Sequence, residues 1–141
     1  MKVIPFTPDH DKMRIGILIK EAAMDEAPLS SYYVDRCEAL GIPREQLVAI
    51  GTRYDSNNKV NAKDGKEYTI KLLKVVDSLK LDTLLVADTN YYKFLTKITK
   101  TSTKLGAVEP CAIPGYEHIN VLLSVNYQAL YYNDRLRFNL D

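Results

Sequence analysis

The chain has no tryptophan, only two cysteines and almost no charge excess: 19 basic residues stand against 18 acidic ones, a formal net charge of +1. Near neutrality excludes a globally basic nucleic-acid coat, so any nucleic-acid contact must be a local patch. Two cysteines exclude a disulfide-stapled scaffold. Cys37 sits among apolar residues of a predicted helix and Cys111 beside a predicted strand, so both read as buried free thiols, as suits a reducing cytoplasm. No apolar run approaches the roughly 18 residues of a membrane span. The start, MKVIPFTPDHDK, has no long apolar core of the signal-peptide kind. These features give the expectation of a soluble protein of the cytoplasm, without a membrane partner. Standard motifs are missing too: there is no GxGxxG, no Walker loop, no CxxC pair and no HExxH. No cofactor is therefore expected. Internal repeats and low-complexity tracts are also absent.

What is present is a 141-residue chain that is 46% hydrophobic, enough for one domain with a core. The organising stretch is 79–96, LKLDTLLVADTNYYKFLT. Thr83 to Ala87 carries no charge and fits a central strand covered on both faces. Asp88 and Thr89 follow as helix-capping residues, and the spacing predicts a helix from Asn90 to Lys97. Three further strands are predicted at 14–19, 47–51 and 119–124. Pro5 and Pro8 make the first 13 residues an extended lead-in with a possible edge strand. A helix is expected from a Ser30 or Ser31 cap to Leu40, stopped by Gly41, with Tyr33, Val34, Cys37 and Leu40 as its buried stripe. The segment 53–66 is polar, with Asn-Asn and Asp-Gly turn signals, and reads as a mobile loop. A helix over 67–80 buries Leu72, Leu73, Val76 and Leu79. The connection 98–110 is rich in Thr and Lys. The alternation predicts an α/β three-layer sandwich with a four-stranded, mostly parallel sheet. The last residues, Asn133 to Asp141, look like a helix without a cap, which leads us to expect a fragment of a longer protein or a short C-terminal helix that frays.

In an open α/β sheet, ligands sit outside the carboxyl ends of the strands, so each strand end is a candidate. After the first come Lys20, Glu21, Asp25 and Glu26; paired acids suit metal binding or base chemistry, but the sequence does not place three of them together and a solvated loop is the plainer reading. After the second come Thr52, Arg53 and Tyr54, where Arg53 suits a phosphate or a surface ion pair. Asp88 after the third is read as a helix cap. Ser124, Asn126, Tyr127 and Gln128 after the fourth suit either a base edge or a cap. Asp9-His10-Asp11 is a lone fragment without a second ligand cluster and reads as a solvated turn, so no metal site is expected. Lys93, Lys97, Lys100 and Lys104 recur at helical spacing. On a continuing helix they would form one stripe, either an ordinary solvated face or a track for a DNA backbone. The tyrosines, ten in all, fall partly in pairs: 32–33, 91–92 and 131–132. In each helical pair one ring is expected inside and one outside, where it could stack on a base or remain half-buried.

The order of these strand ends resembles the uracil-DNA glycosylase superfamily. RIGILIKEAA, EALGIPREQLVAIGTRYD, LKLDTLLVADTNYYKFLT and INVLLSVNYQALYYN stand where that family has its four strand-and-loop units, over most of residues 14–135. The functional residues depart from the family pattern. Lys20-Glu21-Ala22-Ala23 replaces a Gly-Glu-Ala-Pro-Gly-like loop, and the uracil-stacking aromatic falls near Leu29. The uracil-reading asparagine is Thr52, and the catalytic histidine aligns nearest to Asn126, before Tyr127 and Gln128. Without a donor for the leaving uracil anion, the main electrostatic rate term is missing.

The resemblance therefore implies a vestigial pocket (Lys20, Glu21, Thr52, Asp88, Ser124, Asn126, Tyr127, Gln128) with no catalytic residue. DNA contact is assigned to Lys93, Lys97, Lys100, Lys104 and Arg53. The stretch Ser124 to Asn133 is most similar to the amino-terminal region of some phage family A DNA polymerases. This gives the expectation of a non-catalytic accessory domain of a phage DNA replication protein, in the host cytoplasm, contacting DNA or a replisome partner. The alternatives are a divergent glycosylase or nucleotide-modifying enzyme using Glu21 or Asp88, and a stand-alone module that binds a host protein.

Overall fold

The uncharged apolar runs become the parallel centre of a mixed sheet. The computed structural model describes residues 1–7, 12–24, 26–101 and 103–124. Its strands are β1 (Val3–Pro5), β2 (Ile15–Lys20), β3 (Leu47–Thr52), β4 (Thr83–Val86), β5 (Val108–Pro110) and β6 (Asn120–Leu123). They form a six-stranded sheet in the order β1-β3-β2-β4-β6-β5. The four strands expected from the sequence are the parallel centre: β3, β2, β4 and β6 pair side by side in parallel. The four-stranded expectation falls short by two edges. β1 joins β3 and β5 joins β6, each antiparallel, so the sheet is mixed. The first edge carries Pro5 and the second Pro110, a residue that an edge tolerates because it has no ladder N–H to lose. β5 arises inside the stretch read as a plain connection; three residues with Val108 and Glu109 give too short a pattern to see.

The helical elements are α1 (Glu26–Leu29), a π-helical turn (Ser30–Val34), α2 (Asp35–Ala39), α3 (Ala62–Ser78) and α4 (Thr89–Thr96). The first three run on as one helical stretch. It begins before Ser30, and neither Ser30 nor Ser31 caps it; Pro28 falls in the opening turn, where a missing N–H costs nothing. Gly41 ends it as expected, with φ of +88° and the Ile42 N–H donating back to the Cys37 carbonyl at 2.9 Å. Leu40, placed in the buried stripe from spacing, is instead 63% exposed because it lies past the last packed turn. Cys111 is buried and Cys37 only half-buried. No helix among the described residues is long and apolar enough to cross a membrane.

Alternate residues of each central strand feed two cores. Leu18, Val48, Ile50, Leu84, Val86 and Val121 meet α3 and α4 through Leu72, Leu73, Val76, Tyr91 and Leu95. Ile17, Ile19, Ala49 and Leu85 meet Ala23, Met24, Leu29 and Tyr33 on the other face. Each buried Leu or Val side chain contributes about 1.5–3 kcal/mol.

α3 starts five residues earlier than the sequence suggests, because Asn61 caps it: the Asp64 N–H donates to Asn61 Oδ1 at 2.8 Å, and Asn61 Nδ2 donates to Asp64 Oδ2 at 2.8 Å. Asp64-Gly65, a turn signal by composition, is therefore helical. Gly65 is needed for packing: a Cβ there would collide with the Phe94 ring of α4. Gly65→Val should therefore lower the unfolding free energy by about 1–3 kcal/mol in urea denaturation. An unchanged midpoint would contradict this account of the α3–α4 contact.

Candidate functional site

The carboxyl ends of β2, β3 and β4 lie side by side, and the residues that follow them meet around one carboxylate. Asp88 is only 6% exposed. It caps α4, accepting the Tyr91 N–H on Oδ1 at 3.2 Å. Thr52 Oγ1 donates to Asp88 Oδ2 at 2.6 Å, and the Tyr54 hydroxyl donates to the same carboxylate at 2.6 and 2.7 Å to its two oxygens. Lys20 closes the group, its Nζ 4.7 Å from the centre of the Tyr54 ring and 3.3 Å from Asn58 Oδ1. Three residues assigned to a vestigial pocket, Lys20, Thr52 and Asp88, are thus brought together. The cap role read for Asp88 holds, and two hydroxyl partners are added to it.

The other sequence candidates separate from this cluster. Glu21 is exposed and its Oε1 accepts the Lys2 N–H at 3.1 Å. Ser124 is buried at the end of β6, its Oγ without a hydrogen-bond partner among the described residues. Asn126, Tyr127 and Gln128 lie outside the described residues, as do His10 and the pair Tyr131–Tyr132. The lysine stripe does not form. α4 ends at Thr96 and Lys97 adopts the left-handed conformation, φ +60° and ψ 15°, so the helical register is broken before Lys100. Lys93, Lys97 and Lys100 are exposed, while Lys104 Nζ is engaged by Glu109 at 3.0 Å. The expectation of one inward and one outward ring also fails at 91–92, where both tyrosines are buried. α3 covers one side of α4, and the chain after β5 covers the other, fixed by the Ala112 N–H donating to the Leu95 carbonyl at 2.8 Å.

Beside Asp88 lies a cleft of about 330 Å³ between the 53–61 loop and the first turns of α3. Tyr54, Tyr68 and Tyr91 form its aromatic wall. Tyr91 meets Tyr54 and Tyr68 edge to face at 5.8 Å each. The phenols are tied down: Tyr68 donates to the Gly51 carbonyl at 2.6 Å and Tyr91 to the Arg53 carbonyl at 2.7 Å. The loop is folded on Asp55, whose Oδ1 accepts the Asn57 and Lys59 N–H groups at 2.8 and 2.9 Å. Three exposed cations line the cleft, Arg53, Lys59 and Lys71, none in an ion pair among the described residues. Its acids are Asp55, Asp64 and Glu67, of which the first two already accept local N–H groups. Tyr54 was named by the strand-end rule and Tyr91 by the tyrosine pairs, but nothing in the spacing singled out Tyr68, Lys59 or Lys71. Tyr54 also stands two residues beyond Thr52, the period that keeps a side chain on the same side of an extended chain.

The electrostatics follow from burial. Loss of solvent, then the Asp88 charge, drives the Tyr54 phenol far above its ordinary range. Burial likewise pushes Tyr68 and Tyr91 up to about 12. Such phenols donate hydrogen bonds and do not act as bases at neutral pH. Among the described residues no group of three or more His, Cys, Asp or Glu side chains could hold a metal ion. No protein-family model matches the chain, and no curated protein matches it.

Two outcomes are expected. Asp88→Ala removes a cap, costing about 0.5–2 kcal/mol, and leaves two hydroxyls without their acceptor at about 1–3 kcal/mol for a buried one. A drop of at least about 2 kcal/mol in denaturant is expected, and a smaller loss would contradict the network. The raised phenols are proton-loaded in the folded state while an unfolded tyrosine loses its proton near 10. The stability they contribute is full below about pH 10 and falls as pH rises towards 12. Thermal melts from pH 8 to 12 should decline in that window, and a flat profile would contradict it.

Proposed function

We propose that this chain is a non-catalytic DNA-contacting domain of uracil-DNA glycosylase-like architecture, an accessory part of a phage DNA replication protein such as the amino-terminal region of a family A polymerase. The support for the architecture is the order of strand ends in RIGILIKEAA, LVAIGTRYD, TLLVADTNYYKFLT and INVLLS, together with a parallel centre covered on both faces. The observation that carries the functional reading is the strand-end cluster itself. Its one buried carboxylate is occupied by Thr52, Tyr54 and the Tyr91 N–H. Arg53, Lys59 and Lys71, in no ion pair among the described residues, stand beside it.

A carboxylate that already accepts three donors is built to hold structure, and it is poorly placed to take a proton from water. Position 52 carries a threonine whose hydroxyl is spent on Asp88, so it offers no amide to read a base. Arg53, Lys59 and Lys71 supply the phosphate contact, in place of a continuous lysine stripe. Lys93, Lys97 and Lys100 add exposed positive charge at the end of α4. Lys104 is committed to Glu109 and contributes less.

Fluorescence anisotropy with labelled DNA tests the reading. Binding should weaken steeply between about 50 and 200 mM salt, and Arg53→Glu should weaken it by about tenfold at the lower concentration. Salt-insensitive binding, or an unchanged affinity in Arg53→Glu, would contradict this interface. Uracil-containing DNA should acquire no abasic sites; sites that form and then vanish in Asp88→Asn or Glu21→Gln would favour the enzyme alternative instead.

A further inference from the structure

We propose that the tyrosine-walled cleft accepts one nucleotide unit of single-stranded DNA, so that the domain prefers single strands to duplex. This inference rests on the DNA-contact reading and adds the class of nucleic acid to it. The cleft volume of about 330 Å³ sits at the lower end of small-ligand sites, about 300–1,000 Å³. That is room for one base with its sugar and phosphate, and too little for a base pair. Its wall is aromatic, and its rim sets three cations against three acids, of which Asp55 and Asp64 already accept local N–H groups; aromatic faces with cations beside them are what single-strand sites use for base faces and backbone phosphates.

The aromatic wall is rigid before any ligand arrives. The Tyr54 hydroxyl is fixed to Asp88, the Tyr68 hydroxyl to the Gly51 carbonyl and the Tyr91 hydroxyl to the Arg53 carbonyl. Their ring positions are also set by edge-to-face contacts. A pre-formed wall loses little side-chain freedom on binding. Tyr54 is half-buried and offers the accessible part of that wall, with Lys20 against its ring. On the rim, Arg53, Lys59 and Lys71 are exposed and unpaired among the described residues, so none must break an ion pair to meet a phosphate. In duplex DNA the bases are stacked inside, and only the rim cations can be engaged.

The test uses the whole chain and three probes: a labelled twelve-nucleotide oligothymidine, a duplex of the same length, and thymidine monophosphate as competitor. The oligothymidine should bind about tenfold tighter than the duplex. Tyr54→Leu, which removes the accessible ring of the wall, should erase that preference, whereas Tyr54→Phe, which keeps the ring and loses only its bond to Asp88, and Lys66→Glu, at an exposed α3 position outside the cleft, should keep it. Equal affinity for both DNA forms, or a preference that survives Tyr54→Leu, would overturn the single-strand inference while leaving the DNA-contact reading intact. If neither DNA form binds at low salt, the DNA-contact reading itself falls and takes this inference with it. Competition by the monophosphate at the affinity of the oligomer would make the ligand a free nucleotide and would also overturn it.

Discussion

One buried carboxylate links the sheet, the loop and the helix that build the site. Asp88 emerges from β4 in an extended conformation, φ −153° and ψ 104°, and turns the chain into α4. Its own cap bond to the Tyr91 N–H is local. Its bonds to Thr52 and Tyr54 reach 36 and 34 residues back along the chain. An isolated ionised carboxylate at this depth would be costly, and the three donors offset that cost. The consequence is positional. Tyr54 is held over the strand ends, the loop that follows it is folded on Asp55, and the cleft between that loop and α3 is formed before any ligand is present.

The aromatic packing depends on the same frame. Tyr91 is the next link, since its ring touches Tyr54, Tyr68 and Phe94 and its hydroxyl supports the Arg53 carbonyl. Phe94 in turn needs Gly65, which brings α3 close enough for its first turns to wall the cleft. Gly51 plays the matching part on the other face of the sheet, where an added Cβ would collide with Glu21 and Met24. Close approach at these two positions, one on each side, lets polar strand ends sit over two dry cores.

Much of the fold was legible in the sequence because its signals are local. Central strands buried on both faces read as uncharged runs, and β2, β3, β4 and β6 fall within a residue or so of their expected bounds. Gly41 and Asp88 are end signals with a direct backbone mechanism, and both act as read. The failures share a different cause. The edge β5 is three residues long, too short for an alternation to declare itself, whereas β1 falls in the lead-in read as a possible edge strand. The lysine spacing assumed a helix beyond Thr96, but the left-handed Lys97 ends it. At 91–92 a pair rule on one helix could not see that α4 is covered on two sides. For the site, Lys20, Thr52 and Asp88 were found by the strand-end rule. Tyr54 and Tyr91 were named separately, but their meeting with Tyr68 in one wall was missed because these contacts join segments far apart in sequence.

We propose that nucleic acid is held in the cleft beside Asp88 and not by the lysines at the end of α4. Amide chemical-shift mapping during titration with oligothymidine tests it most directly. The account predicts that the largest shifts fall in residues 53–61, at Tyr68 and at Tyr91, with small changes at Lys93 and Lys97. Shifts concentrated at 93–104 with the 53–61 loop unmoved would contradict it.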